Sequence, residues 1–142
     1  MAVSLNHSVG IEAEPDKIYE ALITGPGLAS FWTADSQAEP KVGSVAHFGF
    51  CGPKLQMRVE ELKPQSLVRW TCLGDFPTWP ETKVTRQLKP SEAGGIEVKF
   101  VHDGWSDAVT ADDLAHVNYT WGQVMARLKQ YAETGKPAPY FR

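Results

Sequence analysis

The chain holds 142 residues, 42% hydrophobic and 22% charged, with a formal charge of -3. That length makes one domain able to bury about two thirds of its unfolded surface without covalent staples. The near-balanced charge excludes an electrostatic case for nucleic acid or anionic lipid, and no apolar run reaches the roughly 18 residues of a membrane span. Cys51 and Cys72 lack C-x-x-C spacing and sit in apolar, strand-like surroundings, so both read as buried free thiols in a reducing compartment. Residues 1–7 lack the charged start and apolar run of a signal peptide. The expectation is a complete cytoplasmic protein, a single domain over residues 1–142 with no metal and no cofactor.

Leu5, His7, Val9 and Ile11 alternate with Asn6, Ser8, Gly10 and Glu12, the period of two of a strand with one buried face, placed at residues 3–13. Pro15 and Asp16 then open a helix whose apolar side is Ile18, Tyr19, Leu22 and Ile23. Thr24-Gly25-Pro26-Gly27 reads as the break that ends it, and a second short helix at 27–31 carries Leu28, Phe31 and Trp32 toward the core. From Ser36 the pattern changes to strands separated by turn residues about every ten positions, the mark of an antiparallel meander. They are placed at 36–38, 44–50, 54–63, 66–73, 82–89 and 95–103, with glycine or proline in each break. With the first strand, that makes seven.

The terminal helix begins near Ala111, with Thr110 as N-cap and Asp112 and Asp113 in the first turn. Leu114, Val117, Trp121, Val124, Met125, Leu128, Tyr131 and Ala132 recur at steps of three and four and so share one face. Gly135 and Pro137 stop the helix. A helix of about 24 residues is roughly 36 Å long, and only a curved sheet can cover its apolar stripe. The tail at 137–142, with Tyr140 and Phe141, is expected to fold back on the domain.

A strand, two short helices, six strands and a long helix make the α+β helix-grip layout: a curved antiparallel sheet of about seven strands wrapped around a C-terminal helix. Several stretches resemble the homologues of the activator of the ninety-kilodalton heat-shock protein ATPase, a family of the START-like, or SRPBCC, superfamily. They are Pro15 through Leu22, Phe31-Trp32, Val101-His102-Asp103-Gly104-Trp105, and Trp121 through Gly135. Together they span nearly the whole chain. The resemblance implies a hollow between helix and sheet. Members of the superfamily bind lipids, polyketides, hormones or other apolar molecules, some are cyclases or dehydratases, and the family's name comes from a co-chaperone. No additional amino-terminal domain such as that co-chaperone has is expected, and the resemblance brings no fixed catalytic set.

By alternation the inward positions are Phe48, Phe50, Leu55, Met57, Val59, Val68, Trp70, Cys72, Thr82, Val84, Arg86, Leu88, Ile96, Val98, Phe100 and His102. Large apolar side chains at such positions make core first. Arg86 and His102 stand out, because an unpaired guanidinium or imidazole on an apolar face costs several kcal/mol. Either a partner satisfies each, Glu61 for Arg86 and Asp103 or turn backbone for His102, or they face a wet pocket that takes a polar ligand group. His116 lies one step off the helix's apolar stripe, within reach of solvent or of a cavity mouth. In the loop from Gly74 to Pro80, Phe76 and Trp79 each precede a proline, which suits a lid or a cap on the sheet end. No metal-ligand spacing, G-x-S-x-G, Walker loop or dinucleotide fingerprint occurs. Glu60-Glu61 and Asp112-Asp113 read as a solvated strand end and a helix start.

The sequence thus points to a small domain that binds an apolar or amphipathic small molecule. The candidate ligand-binding residues are Trp32, Phe48, Met57, Trp70, Val84, Arg86, Phe100, His102 and Trp121, with none assigned to catalysis or metal binding. Two alternatives stand beside it. One is a cyclase or hydratase using Arg86 or His102; the other is a stress-related co-chaperone or protein-interaction module using an exposed patch of Phe76, Trp79 and Tyr140. No nucleic acid or membrane partner is expected, and the chain is read as a monomer or homodimer.

Overall fold

The structure, a computed structural model, describes residues 3–74 and 76–142; Met1 and Ala2 of the amino-terminal segment and Asp75 of the Gly74 to Pro80 loop lie outside the described residues. The elements follow in the order β1 (Leu5–Ile11), α1 (Pro15–Ile23), α2 (Gly25–Phe31), β2 (Asp35–Gln37), β3 (Val45–Gly49), β4 (Lys54–Lys63), β5 (Leu67–Gly74), β6 (Lys83–Pro90), β7 (Ile96–Asp103) and α3 (Ala111–Thr134). The seven strands form one antiparallel curved sheet in the order β1-β7-β6-β5-β4-β3-β2. This is the α+β helix-grip fold.

The period of two holds across the sheet, so one face carries the apolar set. Pairing sets His7 opposite Phe100, Phe100 opposite Arg86 and Arg86 opposite Val68, which makes a lateral row on the inner face. The alternation fails at one place. A bulge between Val59 and Glu61 shifts the register, so Leu62 pairs with Val68 and Glu61 with Arg69. Glu61 binds Arg69 at 2.6 Å there, and it is not the partner expected for Arg86.

α2 begins two residues earlier than expected. Thr24 caps it, its side-chain oxygen accepting from Gly27 N at 3.0 Å, and Pro26 fits the first turn, so Gly25-Pro26-Gly27 opens a helix and does not merely break one. α3 matches its expected ends. Thr110 Oγ1 accepts from Asp113 N at 3.1 Å, and Gly135 takes the left-handed conformation at φ 74°, its N–H donating to Tyr131 O at 2.7 Å. The tail folds back, with Phe141 N donating to Trp32 O at 2.8 Å and Ala34 N to Phe141 O at 3.0 Å. Cys72 is buried, but Cys51 is exposed in the turn after β3, at φ 58°.

Burial along α3 is graded, and that grading positions the site. Trp121, Val124, Met125, Leu128 and Ala132 are buried, whereas Leu114 and Val117 in the first half are only half-buried. Ile18, Leu22, Leu28 and Phe31 of the short helices add to the buried core, whereas no residue of α3 before Trp121 is buried.

Candidate functional site

A hollow of about 410 Å³ opens beneath the amino-terminal half of α3. Asp113, His116, Val117, Thr120 and Trp121 form its helical wall at steps of three and four. Phe76, Pro77, Thr78 and Trp79 form the facing wall, so the β5–β6 loop closes one side. Trp32 at the end of α2, Phe50 after β3 and Leu55 of β4 supply the floor, and Trp105, Val109 and Phe141 the remaining sides. The lining is largely a set of rings in mutual contact. Trp32 lies 5.1 Å from Trp121, Phe50 meets Phe141 edge-on at 4.9 Å, and Trp79 meets Phe76 and Trp105 edge-on at 5.2 Å and 5.8 Å.

The loop wall holds a strained backbone. Thr78 and Glu81 have φ of 66° and 72°, a left-handed region that residues other than glycine seldom adopt and that a β-branched residue such as Thr78 adopts least. Such a conformation costs on the order of 1–3 kcal/mol and persists where the surroundings over-determine it. One anchor is Thr82, whose hydroxyl donates to Trp79 O at 2.6 Å. Phe76, Trp79 and Tyr140, expected as an exposed patch, are half-buried and packed against neighbouring rings.

His102 sits behind the loop wall, fully buried. Because the Thr82 hydroxyl is already committed to Trp79 O, its oxygen must accept, so His102 Nε2 at 2.8 Å carries the proton. Nδ1 then accepts from the Trp121 indole N–H at 3.1 Å. Burial, and secondarily the charge on Arg86, lowers the imidazole's pKa to about 3, so the ring is neutral at physiological pH. Trp79 stands edge-on to it at 4.8 Å, and Trp105 lies at 4.3 Å with its indole N–H on His102 O at 3.1 Å. His102 is therefore satisfied by Thr82 and Trp121, not by Asp103. Cys72 Sγ lies 3.9 Å from Nε2, and burial raises that thiol's pKa to about 11.

Arg86 is met by rings and not by a carboxylate. Its Cζ lies 4.3 Å from the centroid of Trp70, 5.6 Å from Phe100 and 5.7 Å from Trp121. Nε and Nη1 are buried with no hydrogen-bond partner among the described residues. Burial lowers its pKa to about 9, which leaves it charged at neutral pH.

Of the nine residues proposed from sequence for the ligand, the structure places Trp32 and Trp121 on the wall. Phe48, Met57, Trp70, Val84, Arg86, Phe100 and His102 are buried off that wall, among them Phe48 and Trp70 in ring contact with Trp32 and Phe100 with Trp121. His116 is exposed and lines the mouth. Asp113, read only as a helix-start charge, also lines the hollow. The signal was present, since Asp113, His116, Val117 and Thr120 extend the face of Trp121 toward the helix start. Among the described residues no group of three His, Cys, Asp or Glu could hold a metal ion, and no helix is long and apolar enough to cross a membrane.

The sequence model of the family described as Activator of Hsp90 ATPase homolog 1-like protein matches residues 12–133. Among solved structures, the chain is 37% identical to the Aha1 dimer from Colwellia psychrerythraea, covering 94% of this chain and 98% of that one at a TM-score of 0.84. A Staphylococcus saprophyticus protein shares the fold at 17% identity and a TM-score of 0.77, covering 96% of both chains. A Bacillus halodurans protein does so at 20% identity and a TM-score of 0.74, covering 93% of this chain and 99% of that one. No curated protein matches the sequence. The match runs from the end of β1 almost to the end of α3, and on that span the chain belongs to the Activator of Hsp90 ATPase homolog 1-like protein family, within the START-like superfamily.

Proposed function

We propose that this protein binds an apolar or amphipathic small molecule in the hollow under the first half of α3. One observation carries the reading: a space of about 410 Å³ walled mainly by aromatic side chains, within the size range of small-molecule sites. Trp32 and Trp121 give the ligand its stacking surfaces. Phe48, Trp70 and Phe100 support those two rings from the core, Met57 and Val84 are buried in the same core, and Arg86 and His102 set the polarity behind the rings. The strained loop at Thr78 adds support, because backbone strain clusters at ligand clamps.

Catalysis by a cyclase or hydratase has less behind it. Both ring nitrogens of His102 are engaged and Arg86 lies off the wall, so neither offers a free acid-base group to the hollow. A co-chaperone role rests on the family name alone. Among partners, the Colwellia relative, a dimer, favours a homodimer for this chain, and a light-scattering mass of one chain would count against it.

The test is thermal shift of the full chain with fatty acids, flavonoids, polyketide-like aromatics and aromatic amines. A ligand at 100-fold its Kd stabilises by about 2.7 kcal/mol, which should raise Tm by roughly 5–10 °C in a chain of this size. Val117→Trp, which fills the hollow from a half-buried helical position, should abolish the shift. A panel that leaves Tm unmoved, or shifts that persist in Val117→Trp, would overturn the proposal.

A further inference from the structure

Resting on the ligand-binding reading above, we infer that the bound molecule is a cation: an apolar, ring-containing body ending in an ammonium or quaternary ammonium group at the outer end of the hollow. The wall is unbalanced in charge. None of its residues is Lys or Arg, Asp113 is its one carboxylate, and His116, three residues on from it, is its one imidazole. Asp112 and Asp113 together place two negative charges on the first turn of α3, more than the roughly half positive charge of a helix amino terminus.

Aromatic rings favour the same sign. Trp79 and Trp105, edge-on at 5.8 Å, both line the hollow, with His102 behind them at 4.8 Å and 4.3 Å. An indole face attracts a desolvated cation through its quadrupole, and tryptophan does so best of the aromatic side chains. A neutral ligand would gain the stacking but nothing from Asp113. An anion would face that carboxylate.

Arg86 fixes the orientation. Its guanidinium lies 5.7 Å from the Trp121 ring, on the core side of a residue that lines the hollow, so the inner end is positive and repels a second cation. The ligand's charge therefore points toward the exposed Asp113, with its ring system against Trp32 and Trp121. The opposite arrangement, an anion paired with Arg86, would require Trp121 to leave its place, and its indole N–H is tied to His102 Nδ1 at 3.1 Å.

Three probes of one shape separate the possibilities: trimethyl(2-naphthylmethyl)ammonium, its neutral carbon isostere 2-neopentylnaphthalene, and 2-naphthylacetate. Binding to the full chain is read by tryptophan fluorescence in low-salt buffer. The cation should bind about 5- to 30-fold more tightly than the isostere, the range that cation–π contact supports, and the anion should bind most weakly. Asp113→Asn, at an exposed position, should weaken the cation severalfold and the isostere much less. Trp105→Leu should narrow the gap between cation and isostere. Equal or tighter binding of the isostere overturns the charge assignment and leaves the hollow as an apolar site. Tightest binding by the anion, lost in Arg86→Met, overturns it by reversing the orientation. If no probe binds at all, the ligand-binding reading falls with it.

Discussion

Arg86 and His102 solve the same problem in opposite ways. Both are polar side chains forced inward by strand alternation on β6 and β7. His102 gives up its charge and satisfies both nitrogens through Thr82 and Trp121. Arg86 keeps its charge and exchanges water for the face of Trp70, leaving Nε and Nη1 without a hydrogen bond. A buried charge without a partner costs more than cation–π contact returns. Arg86→Met keeps most of the side-chain volume and removes the charge, so it should raise stability by about 1–2 kcal/mol, read as an increased urea midpoint. A fall of similar size would show that the guanidinium has a strong partner in solution. Alternation alone marked both residues in the sequence. The partners of His102 could not be read, because Thr82 and Trp79 of the β5–β6 connection and Trp121 of α3 reach it from two segments far apart in sequence.

At the level of elements, the chain's own punctuation set most boundaries. Thr110 and Gly135 delimit α3 because a hydroxyl can accept from the first turn and glycine tolerates positive φ. The Gly25-Pro26-Gly27 run was ambiguous for a physical reason: proline stops a helix that precedes it and starts one that follows. What makes Gly27 necessary lies in the packing of α1 against α2. A Cβ there would stand 2.6 Å from Ala21 Cα and 2.7 Å from Ala21 O. Gly27→Ala should therefore destabilise by about 2–4 kcal/mol, a packing clash outweighing any gain in helix propensity. Gly10→Ala, where a Cβ meets nothing within 4 Å, should leave the unfolding midpoint nearly unchanged. Equal effects at the two sites would mean that α1 and α2 do not pack as described. The bulge in β4 is the complementary case, since nothing in a run of alternating residues announces where an extra residue flips the faces, and it sent Glu61 to Arg69 on the opposite side from Arg86.

For the whole molecule, His102 ties stability to pH. Its pKa in the folded state, about 3, lies below the ordinary imidazole value, so below pH 6.5 the unfolded chain takes up a proton that the folded chain refuses. Its contribution is complete above about pH 6.5 and is lost as pH falls toward 3, at up to about 1.4 kcal/mol per pH unit. Between pH 6.5 and 5, before most carboxylates titrate, the urea midpoint of the wild type should fall steeply. His102→Gln, which cannot ionise, should be less stable at pH 7.5 yet much flatter across that window. Parallel pH profiles for the two proteins would show that the ring is not held neutral.

From its own residues the chain determined the helix-grip fold, the seven strands, both ends of the long helix and the inward face of the sheet, because periodicity, caps and turn residues act over a few positions along the chain. Only the tertiary structure decided where that face is filled and where it is hollow. The inward strand positions gave no way to tell core from wall. That distinction arises where the first half of α3, the loop at Phe76 to Trp79 and the returning tail meet above Trp32 and Trp121, segments far apart in sequence and related only by packing.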